Sequence, residues 1–139
     1  MRLVLDTNIY LAAMGHRSFC FDLFIKLLED RQYEIFISPD ILRELKKKTG
    51  ILIGEKLIAN NYAKRMLFLV SYRAINVQPE EKIKTSLRDP KDRHILECSA
   101  ECRAHIILTM DQDLIKLKRF RTAGIIHPKT FPYILPLSK

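Results

Sequence analysis

Glycine and proline are scarce, four and six in 139 residues, and the hydrophobic fraction of 47% is high. That combination excludes a disordered, collagen-like or linker-type chain. Cysteine is scarcer still, and the three present, Cys20, Cys98 and Cys102, are odd in number and too few for a disulfide framework. Cys98 and Cys102 stand four apart in a helical segment, which sets their Cβ atoms about 5 to 6 Å apart against the roughly 3.8 Å of a disulfide. All three are expected as free thiols. A zinc site from His94, Cys98 and Cys102 would share one helical stripe, but it lacks a fourth ligand and the close-paired spacing of structural zinc. Long apolar runs are absent too: Ile51 to Ile53 and Met66 to Val70 fall far short of the roughly 18 to 20 residues of a membrane span. Asp6 and Asn8 interrupt the only stretch that could serve as the apolar part of a signal peptide. The chain is therefore expected to be one cytoplasmic domain over residues 1–139 with no membrane partner.

Charge is plentiful and unbalanced. Twenty-four Lys and Arg against 16 Asp and Glu give a net charge of +8. Such an excess suits a polyanionic partner, because each neutralised phosphate releases counterions and adds sequence-independent affinity.

The chain alternates strand-like and helix-like segments. Leu3 to Leu5 is a short apolar run of the buried-strand kind that stops at the polar triplet Asp6-Thr7-Asn8. Ser18 suits the cap of a helix over Phe19 to Glu29, where Cys20, Leu23, Phe24, Leu27 and Leu28 recur at helical spacing. Glu34 to Ile37 reads as a second strand, and Ser38-Pro39 opens a helix to about Lys48. Gly50 is expected to break it, with Ile51 to Gly54 as a connection and a longer helix from Glu55 to about Ser71. Ala74 to Val77 is a candidate strand ended by Pro79, followed by a charged link to Pro90 and a helix over about Lys91 to Arg103. His105 to Leu108 is the next strand, then a short helix carries Leu114, Ile115 and Leu117, and Ile125 to His127 makes a last strand. This alternation predicts an α/β fold, a three-layer α/β/α sandwich around a central, mainly parallel sheet.

The residues suited to chemistry are acidic, in a basic protein. Asp6 and Asp111 follow strand-like runs, which brings them to one edge of a parallel sheet; either taken singly also suits a helix cap. Glu44 lies beside the apolar stripe of its helix, three after Ile41 and one before Leu45. Asp92 precedes Ile95 and Leu96 by three and four, at the N-terminal end of a buried helix face, where a carboxylate is also favoured by the helix dipole. Four carboxylates that converge repel one another unless a proton or a cation neutralises them. Oxygen-only ligands point to a hard ion, Mg²⁺ or Mn²⁺, and such an ion amid basic surroundings points to hydrolysis of a nucleic-acid backbone.

These motifs, Asp6-Thr7-Asn8, Ser38-Pro39 with Glu44, Asp89-Pro90-Lys91-Asp92, and Thr109-Met110-Asp111-Gln112-Asp113-Leu114, resemble those of the PIN-domain family in order and spacing over nearly the whole chain. The resemblance implies a small α/β/α domain with a metal-dependent nuclease site, commonly acting on RNA. Many single-domain members are toxins of toxin-antitoxin pairs, so it also implies an antitoxin as partner. The family's four acids match Asp6, Glu44, Asp92 and Asp111, which are the expected catalytic and metal-binding residues, and Asn8, Thr109 and Asp113 match supporting positions. Three departures stand out: Lys91 and Arg93 replace frequent acids, Met110 replaces a frequent glycine, and Asp89 competes with Asp92 as third ligand. Asp92 is the better choice because it shares a face with Ile95 and Leu96, whereas Asp89 precedes a proline and is biased toward extended backbone.

On the substrate side, Lys46-Lys47-Lys48, Lys64-Arg65, Lys82, Lys84, Lys116, Lys118, Arg119 and Arg121 are candidate phosphate contacts, without a defined footprint. Tyr10 and His16 suit stacking on a base, with a core or rim position the simpler expectation. The leading expectation is an Mg²⁺- or Mn²⁺-dependent endoribonuclease with an activated water as nucleophile. A competing one is a catalytically weak RNA-binding or assembly module of the same fold, which Lys91 and Arg93 would suit. A third gives the helix over Glu55 to Ser71 to a second copy of the chain, as a homodimer, or to an antitoxin peptide.

Overall fold

The computed structural model describes residues 1–15, 19–85, 87 and 89–131. In chain order the elements are β1 (Arg2–Leu5), α1 (Thr7–Gly15), α2 (Phe19–Glu29), β2 (Glu34–Ile37), α3 (Pro39–Gly54), α4 (Asn60–Arg73), β3 (Ile75–Asn76), α5 (Pro90–Cys102), β4 (Ile106–Leu108), α6 (Gln112–Lys116), β5 (Arg119–Phe120) and β6 (Ala123–Ile126). The six strands form one sheet in the order β3-β2-β1-β4-β6-β5. Every pairing is parallel except β5 with β6, and helices flank the sheet, as the alternating pattern predicts.

Burial explains why the central strands read as unbroken apolar runs. Leu3, Val4, Leu5, Ile107 and Leu108 are all 0% exposed, since a parallel strand covered on both faces has no solvent side to mark with polar residues. From β1 the chain winds outward through β2 and β3, then returns to lay β4 on the other side of β1. The winding direction therefore reverses between β1 and β4, and at such a switch point a crevice opens beyond the carboxyl ends of the strands. In register, Leu5 of β1 faces Leu108 of β4, so the residues that follow them, Asp6 and Thr109, emerge side by side.

The structure corrects several expectations. Thr7 to Gly15 is a helix that sequence periodicity does not announce, because Ile9, Tyr10, Ala13 and Met14 are buried while Leu11 and Ala12 between them are also apolar, leaving no stripe to detect. Tyr10 is a core residue, 1% exposed, packed edge-on against Phe24 with ring centroids 5.7 Å apart, and does not stack on a base. All three cysteines are free and buried. The expected Ser18 cap and His16 lie outside the described residues.

Gly50 does not break α3, which runs on through Ile51 to Gly54, and the next helix begins at Asn60 rather than Glu55. The stop comes at Lys56, whose φ is 61°. Its N–H donates to the Ile53 carbonyl at 3.0 Å, and the Leu57 N–H donates to the Leu52 carbonyl at 2.9 Å, a Schellman closure with lysine where glycine is usual. Helix α5 ends the same way at Arg103, with φ 51°. Leu117 caps α6 rather than lying within it. The antiparallel strand β5, which was not expected, pairs Phe120 with Ala123.

Two substitutions test this reading of α3. Gly50 is exposed and helical, and a Cβ added there meets nothing within 4 Å, so Gly50→Ala should stabilise the fold by about 0.5 to 1 kcal/mol. Lys56→Gly relieves a left-handed residue and should add about 1 kcal/mol. Urea denaturation measures both; destabilisation by Gly50→Ala would show that the helix does break there.

Candidate functional site

Thr109 ties the switch point together. Its hydroxyl donates to Asp6 Oδ2 at 2.8 Å and accepts from the Asp111 N–H at 3.0 Å. The backbone around it is locked to the sheet, with the Asp6 N–H donating to the Leu108 carbonyl at 2.9 Å and the Thr109 N–H to the Ile126 carbonyl at 3.1 Å. Asp6 and Thr109 are both 0% exposed. Asp111 in turn caps α6, its Oδ1 accepting the Asp113 N–H at 2.9 Å, while the Asp113 side chain itself is on the surface. Asn8 lies half-buried at the second position of α1.

Helix α5 supplies the opposite wall. Asp89 caps it, accepting the Lys91 N–H at 3.0 Å, and Pro90 fills the first helical position, where its missing N–H costs nothing. Asp89 itself is exposed. The same first turn buries Asp92 to 1% exposure, and burial is the main reason its carboxyl is pushed up to about 7. Asp111, Asp89 and Asp6 push the same way and Lys91 opposes them, so these charges act on one small volume. Lys91, which the sequence marks only as a departure, is drawn into that volume. Its side chain is 8% exposed and its Nζ lies 3.9 Å from Asp111 Oδ2. The remaining acid, Glu44, stands on α3 with Oε1 3.2 Å from Lys48 Nζ. It lines a groove of about 480 Å³ whose wall also includes Lys47, Lys48, Lys91 and His94.

The structure thus brings Asp6, Asp92, Asp111 and Thr109 together, with Asp89 at the rim and Glu44 along the adjoining groove. Two carboxylate oxygens, Asp6 Oδ1 and Asp92 Oδ1, are buried with no hydrogen-bond partner among the described residues. A buried acceptor without a donor costs about 1 to 3 kcal/mol, and either a proton or a cation relieves it. No three acids, histidines or cysteines close into a finished metal cage among the described residues; the chemistry of the donor set, all oxygen, nevertheless fits a hard divalent ion. A second groove, of about 540 Å³, is lined by Lys82, Lys84 and Arg93 and meets the first at Asp89 and Pro90. Sequence reasoning missed Glu97, a buried acid whose carboxylate accepts the Ile83 N–H at 2.9 Å and so secures the wall of this groove. The signal was its place on the inner face of α5, one turn before Glu101.

The raised Asp92 carboxyl has a testable sign. Its folded value lies above the usual carboxylate value, so the linked stability is complete below about pH 4 and is lost as pH rises through about 7. In EDTA at pH 8, Asp92→Asn should raise Tm by about 3 °C or more, and the difference from wild type should shrink at pH 5. Thermal denaturation at the two pH values checks this.

The sequence matches the PIN-domain family over residues 2–113. No curated protein matches it. Among solved structures, the chain resembles one described as VapBC2 from Rickettsia felis bound to a DNA fragment from their promoter. That likeness has a TM-score of 0.63 at 18% identity, over 91% of this chain and 98% of the other. The identity is low enough that this likeness speaks for the fold alone. With the family match spanning most of the sequence and the acids gathered at the switch point of the expected sheet, the chain belongs to the PIN-domain family.

Proposed function

We propose that the protein is an Mg²⁺- or Mn²⁺-dependent endoribonuclease, the toxin of a cytoplasmic toxin-antitoxin pair. The observation that carries this reading is the pair of buried, unpartnered oxygens, Asp6 Oδ1 and Asp92 Oδ1, at the crevice where an α/β sheet takes its ligands. These two residues would hold the ion, which when bound supplies the Lewis acidity that phosphodiester hydrolysis needs. Thr109 fixes the Asp6 carboxylate by taking up Oδ2, so that Oδ1 is the oxygen left without a partner among the described residues. Asp111 and Glu44 complete the acidic lining, and Asn8, Asp89 and Asp113 support it from the adjoining turns. Lys47 and Lys48 in one groove, and Lys82, Lys84 and Arg93 in the other, offer a phosphate backbone a basic track on either side of the acids.

The promoter-bound VapBC2 neighbour supports reading an antitoxin protein as partner. So does helix α4, where Phe68 and Tyr72 stack 6.2 Å apart while 68% and 74% exposed, an apolar surface of the kind partners cover. One observation favours a second reading. A lysine buried among the acids also suits a PIN-like module that binds RNA without cutting it.

Cleavage of a mixed single-stranded and structured RNA pool in Mg²⁺, Mn²⁺ or EDTA separates the two. Metal-dependent cleavage should fall by about a hundredfold or more in Asp6→Asn and Asp92→Asn. Folded wild type that binds the pool and leaves it intact in every metal would overturn the nuclease reading in favour of the binding module.

A further inference from the structure

The acids of the pocket differ in what already neutralises them. Asp111 gives Oδ1 to the Asp113 N–H at 2.9 Å and turns Oδ2 toward the Lys91 ammonium at 3.9 Å. Glu44 Oε1 faces Lys48 Nζ at 3.2 Å, and Asp89 Oδ1 is spent on capping α5. Asp6 gives Oδ2 to Thr109. Asp6 and Asp92 each keep one oxygen that is buried and without a partner among the described residues. The chain's own cations stand against Asp111 and Glu44, whereas Lys91 acts on Asp92 only through its field.

Lys91 is not an ordinary surface lysine that happens to pass an acid. Its side chain is only 8% exposed and lines the groove it shares with Glu44, so its stem is packed while its ammonium sits in the negative field of the acids. At 3.9 Å from Asp111 Oδ2 it is close enough for strong Coulomb attraction but beyond hydrogen-bond length. The position is held by field rather than by a directed bond. A divalent ion approaching Asp111 would meet this ammonium at short range and be repelled.

We infer that Lys91 is a tethered cation that holds the Asp111 side of the pocket and confines a divalent ion to a single position at Asp6 and Asp92. It is a specificity-determining residue for the metal: it limits the chain to one ion and weakens the binding of that ion. The inference rests on reading the pocket as a divalent-metal site, and its test needs no RNA.

Isothermal titration of MnCl₂ into RNA-free protein should give one ion per wild-type chain. Lys91→Met and Lys91→Gln, two neutral replacements of similar length, should each bind Mn²⁺ about tenfold more tightly, and Mn²⁺ should raise their Tm more than it raises that of wild type. Lys91→Arg, which keeps the charge, should stay near wild type, and adding Asp111→Asn to Lys91→Met should cancel the gain. Equal or weaker Mn²⁺ binding by both neutral variants, two ions on wild type, or no binding to any of them would overturn the inference. The nuclease reading fails separately. Tighter Mn²⁺ binding by Lys91→Met without RNA cleavage by any form would sink that reading and leave Lys91 as described. Metal-dependent cleavage lost in Asp6→Asn, with Mn²⁺ affinity unmoved by Lys91→Met, would do the reverse.

Discussion

The parallel pairing of β1 with β4 is the constraint on which the site depends. Because Leu5 and Leu108 are in register, Asp6 and Thr109 leave the sheet as neighbours, and one hydroxyl can donate to Asp6 while accepting from the Asp111 backbone. A threonine hydroxyl suits that double duty, having one proton to give and lone pairs to receive. A slip of one residue in either strand would turn its side chains to the opposite face of the sheet and part the two. The apolar residues that fill both faces of these strands hold the register. The core is thus what keeps the acids together, and one core residue, Leu108, also takes the Asp6 N–H on its carbonyl.

Around that junction the molecule concentrates negative charge that nothing in the packing requires. Asp6 and Asp92 are as buried as the leucines beside them, and each retains an oxygen without a donor among the described residues. Proteins tolerate local penalties of this kind chiefly at functional sites. The contrast with the rest of the chain sharpens the point. A protein of net charge +8 brings Asp6, Asp92 and Asp111 together and lines the neighbouring grooves with lysine and arginine.

How much of this was legible in the sequence varies with the physics of each element. The short apolar runs at Leu3 to Leu5 and at His105 to Leu108 announced buried strands, and Ser38-Pro39 announced a helix start through capping chemistry that acts over three or four residues, whereas the cap at Asp89 emerged only in the structure. The first helix was hidden because it is apolar on nearly every side. The end of α3 was misjudged because glycine is only a weak breaker inside a helix, and Thr49 before it and Leu52 and Ile53 after it pack on the core. Lys56 took up the left-handed position that sequence reasoning assigns to glycine, and the cost is carried by the hydrogen bonds of the closure. The strand β5 has two residues, too few for any periodicity to register.

The sequence by itself determined the order of the acidic residues along the chain, their placement at the ends of strands and the beginnings of helices, and the α/β alternation that brings such ends to one edge. Those properties follow from local hydropathy and backbone chemistry. Only the tertiary structure decided which carboxylate oxygens stay open. Asp111 and Glu44 look equivalent to Asp6 and Asp92 as letters, but a lysine from α5 reaches the one and a lysine one helical turn away reaches the other. Whether an acid is neutralised depends on charges brought within a few ångströms by packing, and for Lys91 and Asp111, twenty residues apart in sequence, that distance is set by the sheet and the helix between them.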